Sequence, residues 1–340
     1  MFKNSSKIMF IIIVMMGTMM AVSANSWVNS WMGLEINLLA FIPLMNDTNN
    51  LKSTEASLKY FLTQALASSI LLFSVIMYYM KMNYTFMMEE NQSIKMIIMT
   101  SLLMKSGAAP FHFWFPEVME GLSWINSLIL MTCQKLAPFM LLSYIISKSF
   151  SIMISIMTIT IGSLGGLNQT SLRKIMAFSS INHLGWMLSA LMINSNLWIL
   201  YFIFYSMLSA SIIMMFNTSK LFHFNQLFSN NNSIMMKLST MINFLSLGGL
   251  PPFLGFFPKW MVIQQLSINN QSMLVFFLMV MTLITLFFYL RMCFSSMMIN
   301  HQNSNWMINV KNSYIVKIYL FNTAISILGL PLMTSMFYMM

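Results

Sequence analysis

Charge is what this sequence of 340 residues has least of: Asp, Glu, Lys and Arg together make up 7% of it, against about 25% in an ordinary soluble domain. Seventeen basic and seven acidic residues cannot coat a globule of that size, so a soluble fold is excluded. Cysteine is almost as scarce. Cys133 and Cys293 lie in or beside apolar stretches far from one another, which leaves no disulfide framework and no thiolate metal site. There is no Gly-x-Gly-x-x-Gly fingerprint and no phosphate-binding loop, and the four histidines are not spaced to hold a metal on one helix. Neither a dinucleotide nor haem is therefore expected on this chain. Nucleic acid is not expected either: the net charge of +10 comes from cations strewn singly between apolar runs rather than gathered on one face.

What is abundant is hydrocarbon. Apolar residues make up 58% of the chain, with 42 Met and 14% aromatics, and mean hydropathy is +0.74. A spanning helix uses about 20 residues. Apolar runs predict about eleven such helices, near 8–24, 27–45, 58–80, 94–116, 122–146, 150–167, 173–193, 196–217, 238–268, 275–298 and 315–338. The expected fold class is an all-α polytopic membrane protein, with residues 1–340 forming a single transmembrane domain. The first run follows Lys3 and Lys7 as a signal peptide would, but its cleavage site is weak and another span begins at once, so it reads as a retained helix. Sorting the charges by this topology puts eleven of the seventeen Lys and Arg on the face that carries the N-terminus. Three (Lys81, Lys95 and Lys148) fall on the other face and three inside spans. That bias marks the N-terminal face as the side of insertion.

Two segments are alike. Gly107-Ala-Ala-Pro-Phe-His-Phe-Trp-Phe-Pro116 and Gly248-Gly-Leu-Pro-Pro-Phe-Leu-Gly-Phe-Phe-Pro258 share Gly, aromatics and a closing Pro, and they fall in the fourth and ninth spans. An offset of five spans means that the copies run in opposite directions, the pattern of inverted repeats with broken helices. The repeats are expected at about 8–146 and 150–298, five helices each, followed by a C-terminal helix at 315–338. Proline removes a backbone donor, and carbonyls freed at that depth are tolerated only where protein or water covers them. Both breaks are therefore expected to line a polar path.

Four ionisable groups fall inside spans at similar depth: Glu35, Lys105, Lys135 and Lys259. A lysine near the midplane costs roughly 2.5 to 3.5 kcal/mol on the insertion scale. Burial disfavours the charged form of an amine, so such groups can exchange protons. One acid cannot pair with three lysines, which favours a proton relay over static ion pairs. His112, seven residues after Lys105 and on its face if the helix is unbroken, and His183, in Ser-Ser-Ile-Asn-His, are weaker candidates for the same relay.

These residues are embedded in longer motifs: Trp31-Met-Gly-Leu-Glu-Ile-Asn37, Lys105-Ser-Gly-Ala-Ala-Pro-Phe-His-Phe-Trp114, Gln134-Lys-Leu-Ala-Pro138, Gly165-Gly-Leu-Asn-Gln-Thr-Ser-Leu-Arg-Lys174, Ser180-Ile-Asn-His-Leu-Gly-Trp186 and Leu247-Gly-Gly-Leu-Pro-Pro-Phe-Leu-Gly-Phe-Phe-Pro-Lys-Trp260. In these the chain closely resembles the antiporter-like membrane subunits of mitochondrial respiratory complex I, in their short animal form. The match runs to about residue 300, and the last forty residues match in hydrophobicity alone. The resemblance implies the mitochondrial inner membrane with the N-terminus in the matrix, and proton transport through Glu35, Lys105, Lys135 and Lys259. It also implies that NADH, FMN, iron–sulfur clusters and ubiquinone are handled by other subunits. The implied partners are other complex I membrane subunits, neighbouring antiporter-like subunits among them, and membrane lipids such as cardiolipin. By the same resemblance, bacterial relatives are expected to be longer, with three additional N-terminal helices ahead of the first span read here. The rival expectation is a stand-alone cation/proton antiporter of related fold, and a third is a non-conducting scaffold subunit.

Overall fold

The computed structural model describes residues 5–47, 50–84, 92–229, 234–297 and 323–331. In hydrocarbon every backbone N–H and C=O must find a partner within its own segment, and a helix meets that demand. Helices dominate the described residues, and the exception is an isolated antiparallel bridge between Ser171 and His223. The chain forms two compact units, Met1–Thr158 and Ile159–Met340.

The first unit contains α1 (Ser5–Val22), α2 (Trp27–Met45), α3 (Leu51–Tyr84), α4 (Gln92–Ser106), α5 (Trp114–Gly121), α6 (Trp124–Met131) and α7 (Cys133–Leu142). Ser26 caps α2, its hydroxyl accepting from the Asn29 amide at 3.3 Å. Small residues let α1 and α2 pack backbone to backbone: a β-carbon on Gly33 would lie 2.6 Å from the Ala21 nitrogen. The boundary between the units falls within α8 (Lys148–Gly166). The second unit continues with α9 (Leu172–Leu191), α10 (Ser195–Ser219), α11 (Phe224–Ser229), α12 (Ile234–Gly248), α13 (Phe256–Ile268) and α14 (Ser272–Met297). A further helix, α15, covers 323–331.

Seven described segments are long and apolar enough to cross a membrane: Ser5–Val22, Trp27–Met45, Leu51–Lys81, Trp124–Leu142, Lys148–Gly166, Ser195–Ser219 and Ser272–Phe294. The other predicted spans are of a different kind. Those at 94–116 and 238–268 are each two helices around a break. That at 173–193 is α9, whose polar Ser179, Ser180, Asn182, His183 and Ser189 are buried against protein, so it has no need of an apolar surface. The predicted helix at 315–338 is described over 323–331, where it is helical, and the rest lies outside the described residues. The span expected at 122–146 is also not one helix, because the ladder is interrupted at Thr132 (φ −113°, ψ −76°) between α6 and α7.

Both expected breaks are present, and the same backbone turn makes them. After α4, Gly107 takes a left-handed φ of +77°. Its N–H reaches the Met104 carbonyl at 3.3 Å, while the Ala108 N–H reaches the Leu103 carbonyl at 3.1 Å. After α12, Gly249 has φ +77°, its N–H reaches Ser246 at 3.0 Å, and the Leu250 N–H reaches Leu245 at 3.3 Å. Each is a Schellman closure that needs glycine at the left-handed position. The match continues residue for residue: Phe111 N–H to Ala108 and Phe253 N–H to Leu250, then Phe115 N–H to His112 and Phe257 N–H to Leu254.

Candidate functional site

The first unit holds Lys105 and Lys135 buried and Glu35 half-buried. Lys105 lies in the last turn of α4, just ahead of the break, and is 6% exposed. Neutral donors meet the carbonyls at the break: Gln64 Nε2 donates to the Lys105 carbonyl at 3.2 Å, and Trp114 Nε1 adds a second bond, at 3.3 Å, to the Met104 carbonyl that the Gly107 N–H already reaches. The Lys105 ammonium interacts electrostatically with Glu35, which is half-buried on α2. Lys135, 1% exposed on α7, places Nζ over the Phe115 ring, 4.9 Å from its centroid. Its neighbour Gln134 ties α7 to α2 and α3. The amide donates to Asn37 Oδ1 at 2.8 Å, and the carbonyl oxygen accepts from the Tyr60 hydroxyl at 3.3 Å.

The second unit is built differently. Lys259, in the first turn of α13 beyond the break, is 6% exposed and donates through Nζ to the Gly248 carbonyl at 2.8 Å. It also lies 5.9 Å from the Trp186 ring centroid on α9. Holding an ammonium out of water is costly, and the carbonyl at the α12 terminus and the aromatic face offset part of that cost. His183 is one helical turn before Trp186 on the same face of α9. The side chain is buried, with Nδ1 2.8 Å from the Tyr201 hydroxyl and its ring 5.0 Å from that of Tyr205.

The face that His112 would share with Lys105 in an unbroken helix is not formed, because the helix stops at Ser106. His112 lies in the break, with Nδ1 3.2 Å from the Pro110 carbonyl oxygen and its ring against Phe113. The sequence reading also passed over Gln64, Tyr60, Tyr201 and Tyr205. Their signal was available as polar side chains at helical spacing within apolar runs, but such residues are common on helix faces that meet other helices.

An all-helical membrane chain with two Schellman-closed breaks and buried lysines beside them has the architecture of the proton-antiporter class of membrane subunits. Residues 24–285 match the family described as NADH:quinone oxidoreductase/Mrp antiporter, TM, and residues 286–338 match NADH dehydrogenase subunit 2 C-terminus. The second match corrects the reading of the chain's end, where hydrophobicity alone was expected to be shared. NADH-ubiquinone oxidoreductase chain 2 of Anopheles gambiae is 56% identical, over 99% of both chains, and that of Locusta migratoria is 46% identical, over 97% of this chain and 96% of the relative. The chain belongs to the NADH-ubiquinone oxidoreductase chain 2 family. Its fold is similar to that of a chain in respiratory complex I from Thermus thermophilus, at TM-score 0.85 and 21% identity, covering 96% of this chain and 78% of that one. It is also similar to a chain of the Mrp complex from Dietzia sp. DQ12-45-1b, at TM-score 0.74 and 19% identity, covering 84% and 59%.

Proposed function

We propose that this chain is the antiporter-like core membrane subunit of proton-pumping NADH:ubiquinone oxidoreductase in the mitochondrial inner membrane, and that it moves protons through a buried Glu/Lys relay. Family membership over the full length supports the assignment to the complex. The observation that carries the relay is the burial of Lys105, Lys135 and Lys259, each placed at or beside an interruption in a helix. Burial disfavours the charged form of an amine, so a buried lysine can be loaded and unloaded with one proton as its surroundings change. In this reading Glu35 biases the charge on Lys105, Lys135 carries the proton on from the first unit, and His183 and Lys259 pass it through the second. His112 flanks the first break.

The same reading has residues 1–340 as one transmembrane domain of eleven spans, with inverted repeats at about 8–146 and 150–298 and the N-terminus in the matrix. The recurrence of one backbone turn at Gly107 and Gly249 supports the repeats, and the charge bias supports the orientation. NADH, FMN, iron–sulfur clusters and ubiquinone belong to other subunits, so this chain supplies transport and no redox chemistry. Its partners are neighbouring antiporter-like subunits and membrane lipids such as cardiolipin. The test is purified complex carrying Lys105→Met, reconstituted in vesicles: protons pumped per NADH oxidised fall sharply. Pumping at the wild-type ratio refutes the relay.

A further inference from the structure

Three tyrosines from two helices pack on the polar stripe of α9, and the relay gives them no role. Tyr201 and Tyr205 are four residues apart on α10 and so share one face of it. Tyr201 reaches His183 Nδ1 at 2.8 Å, and Tyr205 lies against the His183 ring and approaches Ser180. Tyr289, on α14, approaches Ser179. Tyr201 and Tyr289 are among the largest fully buried side chains of the molecule. A buried phenol that retains its hydroxyl has a polar partner to serve, since the hydroxyl costs free energy wherever no hydrogen bond compensates it.

We propose that Tyr201 is the positioning residue for His183. Its hydroxyl oxygen accepts from Nδ1–H, which leaves the Nε2 lone pair of the neutral imidazole free and holds the ring in one orientation between α9 and α10. An imidazole held in this tautomer takes up and releases a proton at Nε2, so the ring must point that nitrogen along the path. The hydrogen bond to Nδ1 selects that tautomer, as a second group does for histidines in other proton-transferring sites. When His183 takes up a proton it does so on Nε2, and the Nδ1–H bond to the Tyr201 oxygen persists unchanged. The hydroxyl therefore orients the ring in both protonation states and carries no relay proton itself. The neighbouring polar and charged groups are Ser180 on α9, Tyr205 on the same side of α10, Tyr289 on α14, and Lys259 of α13 one turn along α9 at Trp186.

This inference rests on the place given to His183 in the proposed relay, and a double-mutant cycle separates the two. Complexes carrying His183→Gln, Tyr201→Phe, Tyr205→Phe and the Tyr201→Phe/His183→Gln pair are purified and reconstituted, and protons pumped per NADH oxidised are compared. Tyr201→Phe removes one oxygen and keeps the ring. It lowers the ratio on the order of two- to tenfold, the factor that one lost hydrogen bond commands. The same change adds nothing on the His183→Gln background, because its effect runs through the imidazole. Tyr205→Phe, which leaves the Nδ1 bond in place, has the smaller effect. If His183→Gln pumps at the wild-type ratio, the relay loses His183 and the role of Tyr201 falls with it. An impaired His183→Gln beside a normal Tyr201→Phe overturns the role of Tyr201 alone. Losses that add in the double variant, or a Tyr201→Phe subunit that fails to assemble, make Tyr201 a packing residue and overturn the inference.

Discussion

In the first unit the lysine stands two residues ahead of the left-handed glycine, as Lys105 before Gly107, and in the second it stands ten residues beyond, as Lys259 after Gly249. The turns themselves are the same, hydrogen bond for hydrogen bond. Aligned through them, Lys105 corresponds to Leu247, which is buried, and Lys259 corresponds to Glu117, which lies at the surface in an ion pair with Lys59 at 2.5 Å. The turn and the lysine are thus separable features. A Schellman closure satisfies some of the last carbonyls of a helix and leaves others that need donors. In the first unit Gln64 supplies one to the Lys105 carbonyl, so the Lys105 ammonium is left to the field of Glu35. In the second unit Lys259 itself covers the Gly248 carbonyl, so the amine proposed for the relay is also the cap.

That contrast predicts unequal damage from the same substitution. Lys259→Met removes an amine and uncovers a buried carbonyl, an additional cost of about 1–3 kcal/mol. It is expected to abolish most proton pumping and to lower the yield of assembled complex on native gels, whereas Lys105→Met assembles normally. Equal assembly of the two variants would mean that Lys259 does not serve as a cap. Next in size is the pair of glycine variants. Alanine at either left-handed position costs about 1–2 kcal/mol in backbone conformation. At 249 its β-carbon would also come within 2.9 Å of Lys259 Nζ, and at 107 the nearest atoms are ring and side-chain carbons at 3.3 Å. Gly249→Ala therefore reduces protons pumped per NADH more than Gly107→Ala does, and the reverse order breaks the comparison. The smallest effect belongs to Glu117→Gln. Its pair with Lys59 is 54% exposed on both sides and is screened by water and salt. Wild-type pumping is expected, and a large loss would place a working group where the first unit has only a surface ion pair.

Much of this was readable from residue types. The two breaks were legible because Gly and Pro act on the backbone locally, and Gly107, Gly249 and the prolines beside them stand in segments that cannot continue as helix. Lys105, Lys135 and Lys259 were legible because a lysine in hydrocarbon is expensive whatever surrounds it. The common face of His112 and Lys105 was conditional on an unbroken helix, and the helix stops at Ser106. The interruption at Thr132 was missed because Thr carries no comparable local signal, and neighbours decide whether the ladder is kept there. Gln64, Tyr60 and Tyr201 were passed over for a related reason: a polar side chain in a span is informative only through the atom it meets, and Gln64 meets a carbonyl 41 positions away.

Composition and order along the chain thus determined that this protein lives in a bilayer, where the two Gly/Pro breaks fall, and which amines are buried, since each follows from transfer free energy and local backbone chemistry. Which donor covers which freed carbonyl was decided by tertiary structure alone: a neutral amide from α3 in one unit, and the buried Lys259 ammonium in the other. The physical reason is that a hydrogen bond depends on the meeting of two atoms to within a few tenths of an ångström, and the packing of helices distant in sequence sets that meeting.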